Sequence, residues 1–209
     1  MDNIKSENSA GAEQRIYEAA HEVFLQKGYD GAKMQEIADR AGINKALLHY
    51  YYRSKDKLYE MVAKAVIQRA VAMVHQIINA PDPLEEKIER LIDFYVDTLG
   101  RNVFVLAFVV SEMNKHPEQF RDRILPADLP RPDVFFQQVR EAATAGRIRP
   151  VQPEHLLVNV ISMCVFPFLA QPMMRMVLGK SPAEMQGFLR ERKVVVREYI
   201  FQAIKPTQP

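Results

Sequence analysis

Apolar residues recur at helical spacing along most of the chain. Ile16, Ala19, Ala20, Val23 and Phe24 define a first helix, which Gly28 ends. Met34, Ile37 and Ala38 share one face of a second, from about Lys33 to Arg40, while Gln35, Glu36 and Asp39 face the other way. Ala41-Gly42-Ile43 breaks this helix, and Gly42 stands where a helix end calls for a left-handed residue. Asn44 can accept from free amides of the following turn, so a third helix spans roughly Lys45 to Tyr52 with Leu48 and Tyr52 inward. Ser54 then caps a long helix that Leu58, Met61, Val62, Ala65 and Val66 carry to about Asn79, where Pro81-Asp82-Pro83 stops it.

The same periodicity continues downstream. Ile88, Leu91, Ile92, Tyr95 and Leu99 predict a helix from Leu84 to Gly100. Val103 to Asn114 is apolar nearly all round and should be buried on most sides. Pro117 starts a short helix, and Pro126, Pro130 and Pro132 mark an irregular connection. Further helices run from Asp133 to about Ala145, closed by Gly146, from Glu154 to roughly Ala170, and from the Ser181-Pro182 cap to about Ile204. Residues 1–11 carry no period and read as a disordered arm. No hairpin signal accompanies the β-branched residues, so the fold class is all-α.

Two helices joined by a short glycine-containing turn form a helix-turn-helix, whose second helix enters the major groove of DNA. The composition of the second helix suits that role. With Leu48 and Tyr52 inward, Lys45, Leu47, His49, Tyr50 and Tyr51 occupy the remaining arc, and three successive tyrosines cannot form one buried stripe. Their hydroxyls can reach phosphates, which fix register, or base edges, which carry sequence.

The string Gly28-Tyr29, Ile37-Ala38, Ala41-Gly42-Ile43, Tyr50-Tyr51-Tyr52, Ser54-Lys55 and Leu58 resembles the DNA-binding domain of TetR-family transcriptional regulators. The resemblance covers about Ala12 to Val66. It implies an N-terminal three-helix homeodomain-like domain, residues 1–54, and a C-terminal helical domain for ligand and dimerisation, residues 55–209, linked by the long helix. Several positions depart from the family pattern: Lys33 stands where Ser or Thr usually caps the first helix of the motif, Asn44 where Ser is common, and Leu47 where a smaller or polar residue is. His49 and Tyr51 stand where Tyr and His are common. On this reading Lys45, Leu47, Tyr50 and Gln35 face bases, while Lys33, His49, Tyr51 and Lys55 meet phosphates.

Charge sharpens that assignment. The 209 residues carry 28 Lys and Arg against 26 Asp and Glu, so the formal charge is only +2. Between Lys33 and Lys57, however, six basic residues (33, 40, 45, 53, 55, 57) face three acids (36, 39, 56). Attraction to nucleic acid is therefore local. A single Cys164 excludes an intrachain disulfide, and a polar N-terminus shows no signal peptide. The longest uninterrupted apolar run, Val103 to Val110, falls short of the roughly 18 to 20 residues of a membrane span. The expected compartment is the cytoplasm, without membrane contact.

Other chemistry is sparse. The histidines 21, 49, 75, 116 and 155 have no metal-ligand spacing with one another or with Cys164, so neither metal nor cofactor is expected. Glu85, Glu86 and Glu89, like Asp93 and Asp97, read as a solvated face balanced by Lys87 and Arg90. Neither a phosphate-binding glycine loop nor a nucleophile elbow occurs, which argues against an enzyme.

The C-terminal half is rich in Phe and Met. Phe104, Phe108, Met113 and Phe135, with Phe136, Met163, Phe166 and Met173, are the candidate walls of an effector pocket, and Phe168 and Met174 add to them. Pro167 should kink its helix. The last two long helices present Val158, Ile161, Met163, Val165 and Leu169, then Phe188, Leu189, Val194, Val195 and Tyr199, as a homodimer surface. Arg190, Arg192, Lys193 and Arg197 read as a solvated or rim-facing set. The expected protein is a dimeric repressor that a mostly apolar small molecule releases from a double-stranded DNA operator. Two alternatives stay open: a C-terminal domain that binds a protein partner and no effector, or an all-helical enzyme or carrier of apolar ligands.

Overall fold

A computed structural model describes residues 2–115, 117–124 and 131–206. Among them lie eleven α-helices and no strand. They are α1 (Asp2–Gly31), α2 (Met34–Arg40), α3 (Lys45–Tyr51), α4 (Lys55–Asn79), α5 (Leu84–Arg101) and α6 (Val103–Lys115). After these come α7 (Pro117–Ile124), α8 (Asp133–Thr144), α9 (Pro153–Leu169), α10 (Gln171–Leu178) and α11 (Pro182–Ile204). The expected boundaries lie within three residues of these. One exception is the arm expected over residues 1–11, since α1 is already helical at Asp2.

The chain divides into two compact units. The first comprises Met1–Gln68 and Ala107–Leu125, the second Arg69–Leu106 and Pro126–Pro209. Contact within the fold thus groups part of α4, most of α6 and all of α7 with the helix-turn-helix, beyond the expected limit at residue 54.

In the first unit Ile16, Ala20, Val23 and Phe24 of α1 enclose a core with Ile37, Ala38, Leu48, Leu58 and Val62, all fully buried. Gly28, at φ 65° and ψ −173°, interrupts α1, so the regular helix stops where the sequence places its end. An aromatic chain extends this core, with Phe24 against Tyr59 at 4.8 Å between ring centroids and Tyr59 against Phe108 at 5.6 Å. α6 is less enclosed than its apolar composition predicts, because Ala107, Val110 and Met113 are exposed.

The second unit is a bundle in which α5, α9 and α11 pack on one another and α8 packs on α5 and α9. Ile88, Leu91 and Ile92 meet Val160 and Cys164 of α9, Val196 and Ile200 of α11, and Phe135 and Val139 of α8. Burial pushes the Cys164 thiol up to about 12. Pro167 lies inside α9 and has no amide to offer the Met163 carbonyl. Arg192 of α11 supplies the missing donor, its Nη2 lying 3.1 Å from Met163 O. Arg192 is therefore half-buried and structural, contrary to the solvated role expected of it.

The acidic face of α5 is balanced differently from expectation. Lys87 is fully buried and donates from Nζ to Ile78 O at 3.0 Å, which closes the C-terminal turn of α4. Burial lowers its pKa, and Asp82 opposes the shift. Arg90 pairs with Asp82. The acids of α5 instead meet α11, where Lys193 lies 2.8 Å from Asp97 and Arg197 lies 3.5 Å from Glu89 and 3.6 Å from Asp93.

α10 has no counterpart among the expected elements. None of its residues is buried, so no core-facing period announces it. Pro172 sits in its first turn and Gly179, at φ 61°, ends it. α4 needs a further correction: it is the one described helix long and apolar enough to cross a membrane, which a search for uninterrupted apolar runs overlooks. Lys64 and Arg69 interrupt its apolar stretch, and its Leu58, Val62, Ala63, Ile77 and Ile78 are buried inside the protein.

Candidate nucleic-acid interface

The turn between α2 and α3 is built by its backbone. Gly42 takes φ 66°, and the amides of Gly42 and Ile43 donate to Asp39 O and Ala38 O at 3.2 and 3.0 Å. These bonds satisfy carbonyls that the end of α2 would leave open. Arg15 of α1 braces the turn through Nε, 3.3 Å from Ala41 O. The Asn44 side chain accepts from Leu47 N at 2.7 Å and caps α3. Lys33 gives α2 no side-chain cap, as its lack of an acceptor requires.

Leu48 anchors α3 by complete burial, and its truncation to Ala should cost roughly 2–5 kcal/mol. Around it Lys45, Leu47 and His49 are exposed, and Tyr50 is 81% exposed. The Tyr51 ring is half-buried, edge-on to Tyr50 at 5.7 Å and 6.4 Å from Tyr52. Gln35 is exposed on α2, with Nε2 2.8 Å from Asp39 Oδ1. The expected base-facing residues are thus all at the surface.

The local positive charge is narrower than the sequence count. Arg40 is 3.1 Å from Glu36 and 3.4 Å from Glu22, and Lys27 is 2.7 Å from Glu36. The Lys27 ammonium holds the Glu36 carboxyl below its ordinary pKa. Lys57 lies 3.3 Å from Glu60.

Lys55 is half-buried. Its Nζ donates to Tyr29 O at 2.9 Å and Ala32 O at 3.3 Å, and sits 4.3 Å from the centre of the Tyr29 ring. The ammonium therefore grips the turn that leads into α2 instead of standing free for a phosphate. Tyr29 Oη completes the link by donating to Asp56 Oδ1, which raises the tyrosine pKa to about 12. Tyr29 and Asp56 were not among the expected site residues. The Gly28-Tyr29 pair in the family string was the available signal.

The expected effector residues are not brought together. Phe135 is core, Phe136 packs on that core, and Phe104 and Phe108 are buried, while Met163 is half-buried and Met113, Phe166 and Met173 are exposed. None of the eight lines the cavity of about 570 Å³ in the second unit. Its walls are Val96, Asp97, Gly100, Arg101 and Val103 on one side, and Phe168, Gln171, Gln186, Leu189 and Arg190 on the other. Phe108 instead borders a cavity of about 590 Å³ in the first unit, beside Tyr29, Tyr59 and the carboxylates of Asp56, Glu60 and Glu112. Among the described residues no group of His, Cys, Asp or Glu is placed to hold a metal.

A capped, exposed helix set on a glycine turn defines a DNA-binding protein of the helix-turn-helix class. Residues 16–62 match the bacterial regulatory proteins of the tetR family. Over 202 residues the chain is 33% identical to the HTH-type transcriptional regulator RutR of Escherichia coli (strain K12), covering 97% of this chain and 94% of that protein. It is 34% identical over 79 residues to the HTH-type transcriptional activator FasR of Mycolicibacterium smegmatis (strain ATCC 700084 / mc(2)155), which spans 38% of this chain and only 36% of that protein. The fold is similar to that of the transcriptional regulator FadR from Bacillus subtilis in complex with stearoyl-CoA, with a TM-score of 0.58 at 15% identity, covering 92% of this chain and 99% of that one. The chain belongs to the TetR family and is a DNA-binding transcriptional regulator.

Proposed function

We propose that the protein is a cytoplasmic homodimeric repressor that leaves its operator when a small molecule occupies the second unit. The observation that carries the DNA half of this reading is the exposed face of α3, where Lys45, Leu47, His49 and Tyr50 surround a buried Leu48. Lys45, Leu47 and Tyr50 reach base edges with Gln35 beside them, and Lys33, His49 and Tyr51 contact phosphates. Lys55 belongs to this site as the residue that positions the turn before α2.

Dimerisation through α9 and α11 is supported by apolar side chains left in solvent. Val158 is 58% and Tyr199 65% exposed, and Phe166, Leu169 and Val194 are also exposed. Leu189 drops out of the expected set because it is buried. A dimer places two recognition helices on half-sites roughly 34 Å apart. The effector acts by favouring a state with a different separation, transmitted along α4, whose residues are shared by the two units.

Fluorescence anisotropy with an operator recovered from random DNA tests this reading. Two chains should bind each duplex, and effector and operator should weaken each other's binding by the same factor. One chain per duplex rejects the dimer, and equal operator affinity with and without bound effector rejects the release mechanism.

A further inference from the structure

We propose that the cavity in the second unit takes an amphipathic anion, with its charged head on Arg101 and Arg190 and its apolar body against Val96, Val103, Phe168 and Leu189. The inference rests on the effector reading above and names the chemistry of that effector. It adds a charged head group to the mostly apolar molecule that the Phe and Met content suggests.

The cavity is lined by residues of α5, α6, α9, α10 and α11. Gly100 contributes no side chain, and a Cβ at that position would meet only Phe168 Cε1, at 4.0 Å. The volume of about 570 Å³ lies within the range of small-molecule sites. Its apolar wall can bury a hydrocarbon or aryl body.

Charge decides the head group. Asp97 is the one acid of the lining, and its carboxylate is engaged by Lys193 at 2.8 Å. Arg101 donates from Nε to Asp97 O at 3.2 Å, which leaves its terminal nitrogens available. Among the described residues neither Arg101 nor Arg190 forms an ion pair. Two guanidinium forks therefore border one half-open cavity of mixed polar and apolar lining, and neither is paired with an acid among the described residues. A carboxylate or phosphate can accept paired hydrogen bonds from such forks, whereas an organic cation meets repulsion and a neutral body leaves them unused. The Gln171 and Gln186 amides add neutral donors at the same mouth.

The test uses the full-length protein, isothermal titration and three probes of equal chain length: decanoate, decanol and decyltrimethylammonium, each below its micellar concentration. Decanoate should bind saturably and more tightly than decyltrimethylammonium. The Arg101→Gln/Arg190→Gln variant should weaken decanoate by about tenfold and leave decanol unchanged. Gly100→Leu, which fills the cavity, should weaken both decanoate and decanol. If the double variant unfolds, Arg190→Gln alone carries the comparison, because that side chain is exposed. Absence of saturable decanoate binding, equal binding of the cationic probe, or unchanged decanoate affinity in the charge variants overturns the proposal. Operator binding measured on the same samples separates the two levels: an intact operator complex with a failed probe pattern rejects the ligand class alone, and no operator complex rejects the regulator reading itself.

Discussion

Lys55 holds the backbone of Tyr29. The ammonium donates to the Tyr29 carbonyl at 2.9 Å while lying over the same residue's ring, and its second bond, to Ala32 O, spans the turn that enters α2. A lysine that reads as a phosphate contact by its place in the sequence thus ties the first turn of α4 to the start of the DNA-binding motif.

Lys55→Ala should lower stability by about 1–3 kcal/mol, because two carbonyls lose a charged donor. Operator affinity should fall as the motif loosens, with the slope of log K against log salt unchanged. Denaturant unfolding and salt titration check this. A wild-type midpoint with a slope reduced by about one unit would assign Lys55 to a phosphate instead.

Lys45→Ala makes the complementary case. Its side chain is exposed and makes no bond among the described residues, so stability should stay within about 0.5 kcal/mol of wild type while DNA affinity drops. Anisotropy titrations at several salt concentrations measure the drop.

Tyr29 predicts an alkaline limit. Its folded pKa is raised to about 12, chiefly by the hydrogen bond to Asp56, against an ordinary value of 10.0. Between these values the unfolded chain has lost the proton and the folded chain keeps it, so stability is full below pH 10 and declines as pH rises towards 12. Burial raises Tyr59 and Tyr95 to about 12 as well, and they share in the decline. Tyr29→Phe should make the decline shallower, as thermal unfolding at pH 9, 10 and 11 will show.

Arg192 and Pro167 should be energetically coupled through the Met163 carbonyl. Arg192→Ala leaves that acceptor without its donor and should cost about 1–3 kcal/mol. Pro167→Ala restores an amide four residues after Met163, so in that background Arg192→Ala should cost about 1 kcal/mol less. A double-mutant cycle from denaturant unfolding gives the coupling directly.

Features governed by local chemistry could be read from the sequence. Gly28, Gly42, Asn44, Ser54 and Ser181 mark helix ends that the structure reproduces, because a cap or a left-handed glycine acts within a few residues. The outward residues of α3 follow from the burial of Leu48 alone. Features that depend on distant partners were not legible. Lys87 and Arg192 look like surface cations until the Ile78 and Met163 carbonyls are beside them. The effector residues chosen for size and softness do not share one cavity: most fill the core or face solvent, since hydrophobicity favours both packing and binding, while Phe108 and Phe168 border two different cavities. The cavity of the second unit is lined by Gly100 and two arginines, residues whose types carry no such signal.

Operator reading by the exposed face of α3 is tested most directly by selecting random-sequence DNA on the full-length protein and on its Tyr50→Ala variant. The wild type should enrich a palindrome whose half-site centres lie roughly 34 Å apart or a multiple of that spacing. The variant should fold with wild-type stability and lose or change the preferred bases. Enrichment of the same palindrome with equal affinity by both proteins would contradict the account.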